Sequence, residues 1–171
     1  MLRATTVIRR SEMAGKISVD TLTLVRAERW RRRIALKTDR GHEVLLDLVD
    51  ATYLADGDGL LLQNSAIVKI VAAAEPLVEI HAHGAVELAR IAWHIGNRHT
   101  ACEITPQALY IQPDHVLEEM AVGLGAHVHH VTRPFEPEGG AYGGKGPLQE
   151  SHHHHGHEHT HDHGHSHGKT G

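Results

Sequence analysis

Cysteine is nearly absent: Cys102 is the only one in 171 residues. A single thiol excludes an intrachain disulfide framework, and with it the Cys₄ and Cys₂His₂ zinc modules. Long apolar runs are missing as well. The longest candidate, Ala66 to Ile80, is broken by Lys69, Glu75 and Pro76, so no membrane span is expected. The segment Met1 to Lys16 carries Arg3, Arg9, Arg10 and Glu12 and no apolar h-region, so no secretory signal is expected. Nor is there an excess of positive charge. Lys+Arg number 17 against 21 Asp+Glu, a formal charge of −4, which argues against nucleic-acid binding. These absences predict a soluble cytoplasmic protein with one ordinary domain or two small ones.

Catalytic signatures are missing too. There is no G-x-S-x-G elbow and no H-E-x-x-H helix, and Cys102 has no evident reactive setting. Gly139 to Lys145 matches the opening of a P-loop, but Gly146 stands where the Mg²⁺-binding Ser/Thr must be and Pro147 where a helix should run. A metal-dependent hydrolase would need an acid/base carboxylate beside a three-ligand site, and none is visible. The expectation is a protein that is not an enzyme.

What the chain has in abundance is histidine, 19 residues of it. Ten of them, His152, His153, His154, His155, His157, His159, His161, His163, His165 and His167, crowd into positions 152–167. A His/Gly/Asp/Ser tail without large apolar residues cannot bury a core, so it is expected to be disordered. An appended affinity tag is the ordinary explanation for such a run. Tags are usually uninterrupted, however, whereas Gly156, Glu158, Thr160, Asp162, Gly164 and Ser166 divide this one. Imidazole suits Ni²⁺, Zn²⁺ and Cu²⁺ alike, so the tail signals divalent metal binding without choosing the metal. Many imidazoles on one flexible segment can hold several ions at once.

The rest of the chain reads as α+β, in two halves. Residues 1–74 are expected to form a small all-β domain, a barrel or sandwich. Leu22 and Leu24 alternate with Thr21 and Thr23, and 33–38 and 43–48 flank a short glycine-containing hairpin loop at 39–42. Further strands follow at 60–62 and 66–71. Pro76 marks a change of pattern. Residues 75–133 then run strand (77–81), helix (85–95), strand (101–105), strand (109–112), helix (115–124) and strand (126–132). This β-α-β-β-α-β order is that of a ferredoxin-like domain. Leu88, Ile91, Ala92 and Ile95 share the inward helix face, and Gly96 and Asn97 suit a left-handed C-cap. Asp114 is expected to cap the second helix and Gly125 to stop it. Residues 134–171 divide into a Gly/Pro-rich linker and the histidine tail.

Several histidines of the folded part could carry metal. His99 follows a helix C-terminus, where the dipole favours a cation by about 0.3–1 kcal/mol. A lone imidazole cannot fill a coordination shell, so His99 reads first as a surface loop residue; two copies meeting across a two-fold axis would change that. His81 and His83, and likewise His127 and His129, share a strand face at i, i+2, with His130 opposite. Each pair is either half of an imidazole site or a solvated pair on an exposed sheet face. His115, in the first turn of a helix, is poorly placed for a cation. His42, in the hairpin loop, is assigned nothing.

Three stretches together resemble the UreE family of urease accessory nickel metallochaperones. They are His94-Ile95-Gly96-Asn97-Arg98-His99, Asp114-His115-Val116-Leu117-Glu118-Glu119-Met120 and Pro134-Phe135-Glu136-Pro137-Glu138-Gly139-Gly140-Ala141-Tyr142. Weaker echoes lie in Asp20-Thr21-Leu22-Thr23-Leu24 and Leu54-Ala55-Asp56-Gly57-Asp58. The resemblance implies an N-terminal peptide-binding domain and a C-terminal ferredoxin-like metal-binding domain. It also implies a homodimer holding one Ni²⁺ between the two copies of His99, with tail histidines completing the shell or binding extra metal. Some members add a His-x-His pair before the second helix; here Pro113 takes the first position and His115 alone remains as a secondary ligand. The implied partners are an accessory GTPase and the urease apoprotein. A passive histidine-rich buffer for Ni²⁺, Zn²⁺ or Cu²⁺ is the competing expectation.

Overall fold

Period-2 alternation shapes the first half of the chain. Along Glu43–Tyr53, Val44, Leu46 and Leu48 are buried while Glu43, Val49 and Asp50 face solvent. The computed structural model describes residues 1–139. Six strands make up the N-terminal sheet: β1 (Leu2–Ile8), β2 (Asp20–Leu24), β3 (Trp30–Lys37), β4 (Glu43–Tyr53), β5 (Gly59–Leu62) and β6 (Ile67–Ala72). They lie in the order β2-β6-β5-β1-β4-β3, with β1/β4 and β2/β6 parallel. The expected β3–β4 hairpin is present, with Gly41 at φ +89° in its loop. That loop reaches the far edge of the sheet. Asp39 donates its N–H to the Thr21 carbonyl oxygen at 2.9 Å and accepts from the Thr23 hydroxyl at 2.7 Å, so the sheet curls around one core. Leu22, Leu24, Val44, Leu46, Leu60 and Ile70 fill it.

Strand β1 escapes alternation analysis, which finds no strand before Leu22. Only Ala4 of its seven residues is buried, so the strand carries almost no pattern. Its place between β5 and β4 is fixed by ladder hydrogen bonds, which every backbone can make.

The second half has the expected ferredoxin-like architecture. Its elements are β7 (Ala74–His81), α1 (Ala85–Gly96), β8 (Glu103–Ile104), β9 (Leu109–Ile111), α2 (His115–Gly123) and β10 (His127–Pro134). The sheet order is β10-β7-β9-β8, antiparallel throughout. Val78 and Ile80 of the sheet meet Leu88, Ile91 and Ile95 of α1 and Leu117 and Ala121 of α2 in a second core. The Asp114 carboxylate accepts from the N–H groups of Val116 and Leu117 at 2.9 and 3.1 Å, and Gly125 turns the chain at φ +89°.

Only Ala73 separates β6 from β7, and the two units are joined by side chains. The Glu75 carboxylate accepts from the Arg26 N–H at 2.9 Å and from the Gln112 amide at 3.2 Å. Arg29, fully buried, reaches Phe135 and Glu136. Pro134, expected to open the linker, instead closes β10, an edge strand where its missing N–H is tolerated, and Phe135 is wholly buried. The linker and tail from residue 140 onward, with all ten tail histidines, lie outside the described residues.

Candidate metal centre

Helix α1 has two faces. Leu88, Ile91 and Ile95 point into the core, while Val86 (68 % exposed) and Trp93 (64 % exposed), two turns apart, face outward with Ala89 between them. A valine and a tryptophan aligned on the outside of one helix form an apolar stripe rather than scattered exposure. His99 lies three residues beyond the end of this helix.

The helix end differs from the expected Gly96/Asn97 cap. Gly96 is helical and Asn97 stays right-handed at φ −64°; the left-handed residue is His99, at φ +56°. The Arg98 N–H donates to the Ile95 carbonyl and the His99 N–H to the Gly96 carbonyl, at 3.0 and 2.9 Å. These bonds delay the reversal until the helix carbonyls are satisfied. A non-glycine residue held left-handed costs roughly 1–2 kcal/mol, a strain that gathers at functional positions. The His99 side chain is exposed at the negative end of the helix.

Topology brings His115 to the same end of the domain. Helix α1 returns the chain from the C-terminal end of β7 to the start of β8, which runs parallel to β7. Strand β9 runs opposite to β7, so α2 begins where α1 ends. His115 is exposed in the first turn there, and Pro113 beside it offers no donor.

A second group of histidines occupies the sheet face opposite the helices. His81 of β7 lies directly across from His127 of β10, and Glu79 across from His129. The rings of His83 and His127 are 5.3 Å apart and those of His81 and His129 6.1 Å apart, both edge to face. Glu79 is tied to this row. Its Oε2 lies 3.2 Å from His81 Nε2, and its Oε1 accepts from the Tyr110 hydroxyl at 2.7 Å. The Tyr110 bond holds the Glu79 carboxyl below its ordinary range.

Other candidates are occupied. His130 turns to the helix side and meets Glu118 at 2.9 Å, and His42 meets the buried Asp20 at 2.9 Å. Burial pushes the Cys102 thiol up to about 12, which removes the thiolate that metal binding would need. Among the described residues, no three His, Cys, Asp or Glu side chains already surround one point. Spacing analysis finds the histidine pairs but misses Glu79, because a glutamate in a strand signals nothing until register sets it across from His129.

Comparison with known proteins follows the two units. The family model described as UreE urease accessory protein, N-terminal domain, matches residues 5–73, and that of the C-terminal domain matches residues 75–167. The urease accessory protein UreE of Rhodopseudomonas palustris (strain BisB18) is 47 % identical over 154 residues, 90 % of this chain and 72 % of that protein. That of Azorhizobium caulinodans is 50 % identical over 142 residues, 83 % of this chain and 68 % of the relative. The protein of the same description from Chelativorans sp. (strain BNC1) is 43 % identical over 153 residues, covering 90 % of this chain and 94 % of its own. Both units are matched, in order. The chain belongs to the UreE family of urease accessory proteins, which are not enzymes.

Proposed function

We propose that this chain is a nickel-carrying metallochaperone for urease assembly, acting in the cytoplasm as a homodimer. One Ni²⁺ is held between the two copies of His99 and passed to the accessory GTPase and the urease apoprotein. The observation that carries this reading is an exposed His99 just beyond the end of the helix that turns Val86 and Trp93 outward. One exposed imidazole is a single donor, and a metal ion needs several. A two-fold axis beside His99 supplies a second imidazole and at the same time covers Val86 and Trp93. His115, at the same end of the domain, is the secondary donor. The ten tail histidines add labile ligands to load or complete the site, and Zn²⁺ or Cu²⁺ competes for all of them.

The test is calorimetric titration of Ni²⁺ into the chain lacking residues 151–171, so that the tail cannot mask the site. His99→Ala should abolish the tightest binding event and leave the apo-protein folded. His99→Gly, which suits the left-handed backbone, should do the same and be about 1 kcal/mol more stable than His99→Ala. Undiminished binding of one Ni²⁺ per dimer by either variant would overturn the assignment.

The tail favours a second reading, a passive buffer of Ni²⁺, Zn²⁺ or Cu²⁺. A buffer has no use for a metal-dependent partner. Affinity for the accessory GTPase that is the same with and without Ni²⁺ would favour storage over delivery.

A further inference from the structure

His81 stands between two hydrogen-bond acceptors. Its Nδ1 lies 3.2 Å from the Gln107 carbonyl oxygen, and its Nε2 lies 3.2 Å from Glu79 Oε2. A neutral imidazole carries one N–H and satisfies one of them. The arrangement is complete only when Nδ1–H donates to Gln107 and a positive centre sits between Nε2 and the carboxylate. That centre is either a second ring proton or a metal cation.

The geometry fits the metal. Adjacent donors of a tetrahedral ion with bonds of about 2.0–2.1 Å lie roughly 3.3 Å apart, close to the Nε2–Oε2 separation. The supporting contacts are also those of a metal site. A ligating histidine commonly donates its other N–H to a backbone carbonyl, which fixes the tautomer and the ring plane, and the Gln107 carbonyl oxygen stands 3.2 Å from His81 Nδ1 to accept such a bond. The Tyr110 hydroxyl anchors Oε1 of Glu79 and leaves Oε2 turned to His81. The exposed His129 lies directly across the ladder from Glu79 with its ring 6.1 Å from that of His81, so a side-chain rotation brings a third donor in. His83 and His127 continue the row.

We infer that Glu79, His81 and His129 form a second metal site, for a divalent transition-metal ion of the Zn²⁺ class, across the β7–β10 pair. It is separate from His99. Helix α1 starts just after His83 and ends just before His99, and its 12 residues span about 18 Å, so the two places cannot share an ion. The donor set, two imidazoles and one carboxylate, leaves a coordination position open. An open shell on a solvent-facing sheet suits an ion that is exchanged rather than locked in.

The test is Zn²⁺ titration of the full chain, read residue by residue from imidazole ¹H–¹⁵N NMR correlations at pH 7.5. The site-specific signals separate this site from the tail and from His99. The expected result is a saturable Zn²⁺-dependent shift of His81 and His129, with His81 coordinated through Nε2. Glu79→Gln keeps an acceptor for Tyr110 and should weaken the response at His81 at least tenfold without changing that of His99. His129→Ala, on an exposed edge strand, should weaken the His81 response likewise and guards against a folding defect in the first variant. His99→Ala should leave the His81 response intact. A His81 ring that is doubly protonated and unmoved at saturating Zn²⁺ would overturn the site, as would an undiminished response in both Glu79→Gln and His129→Ala.

Discussion

Arg29, in the turn between β2 and β3, forms an ion pair with Glu136, 107 residues later in the chain and just after β10. The same guanidinium donates through Nη2 to the Phe135 carbonyl oxygen and lies 5.1 Å from the Tyr53 ring centre. Arg29 is wholly buried, and desolvation pulls its proton affinity below the ordinary arginine value. One arginine of the N-terminal unit thereby fastens the residues that leave the C-terminal unit.

Arg29→Ala should destabilise the protein by about 3 kcal/mol, since it opens a cavity and strips the Phe135 carbonyl and Glu136 of their buried partner. Phe135→Ala should cost about 3–5 kcal/mol, the usual loss for a fully buried aromatic. Deleting 151–171 should change neither value. Urea unfolding of the three variants checks all of this, and a Phe135→Ala protein as stable as the parent would refute the anchoring role.

Trp93 is the outward aromatic of α1, and a partner subunit that covers it would gain one large apolar contact. Trp93→Glu should weaken self-association by about 2 kcal/mol, about thirtyfold in Kd, while leaving the monomer folded. Sedimentation velocity across a dilution series measures the shift. An unchanged association constant would move the interface elsewhere.

Imidazole binds metal only when neutral, with a reference pKa of about 6.5. Nickel bound by the tail should therefore be released progressively as pH falls from about 7.5 to 5.5. Equilibrium dialysis of the full chain at the two ends tests it. Deletion of residues 151–171 should cut the nickel bound at the higher pH to one ion, or very few, per dimer. Equal retention at both pH values would assign the metal to carboxylates or backbone groups instead.

Acid stability should rest on the β2 edge. Burial alone would raise the Asp20 carboxyl, but hydrogen bonds from Thr38, His42 and the backbone N–H groups of Thr21 and Arg40 outweigh it and hold it well below the usual range. The Thr21 and Thr23 hydroxyls lower Asp39 as well. Both folded-state values lie below the unfolded reference of about 3.9. The stability they contribute is thus present above about pH 4 and is lost as pH falls below it toward the folded-state values. Melting temperature should stay level from pH 7 to 5 and then drop. Asp20→Asn should narrow the gap between pH 7 and pH 3, and a gap as wide as the parent's would show that other carboxylates dominate.

Residue order by itself determined whatever depends on near neighbours. Alternation along β4, the inward face of α1, the Asp114 cap and the Gly125 stop all repeat within a few residues, so they are legible along the chain. The βαββαβ order and the concentration of histidine in the tail are legible for the same reason. The tertiary structure alone decided what depends on register and on distant partners. β1 has almost no pattern and owes its place to ladder bonds with β4 and β5. The strain at His99 arises because the turn between α1 and β8 must reverse there, two residues beyond the glycine and asparagine suited to it. Phe135 looks like linker in sequence and is core in space, because Arg29 binds its carbonyl oxygen and Arg26 lies over its ring from the other unit. Glu79, His81 and His129 become neighbours only because β10 pairs with β7 in one register; a slip of one residue would turn His129 to the helix side and set Val128 or His130 across from Glu79 instead.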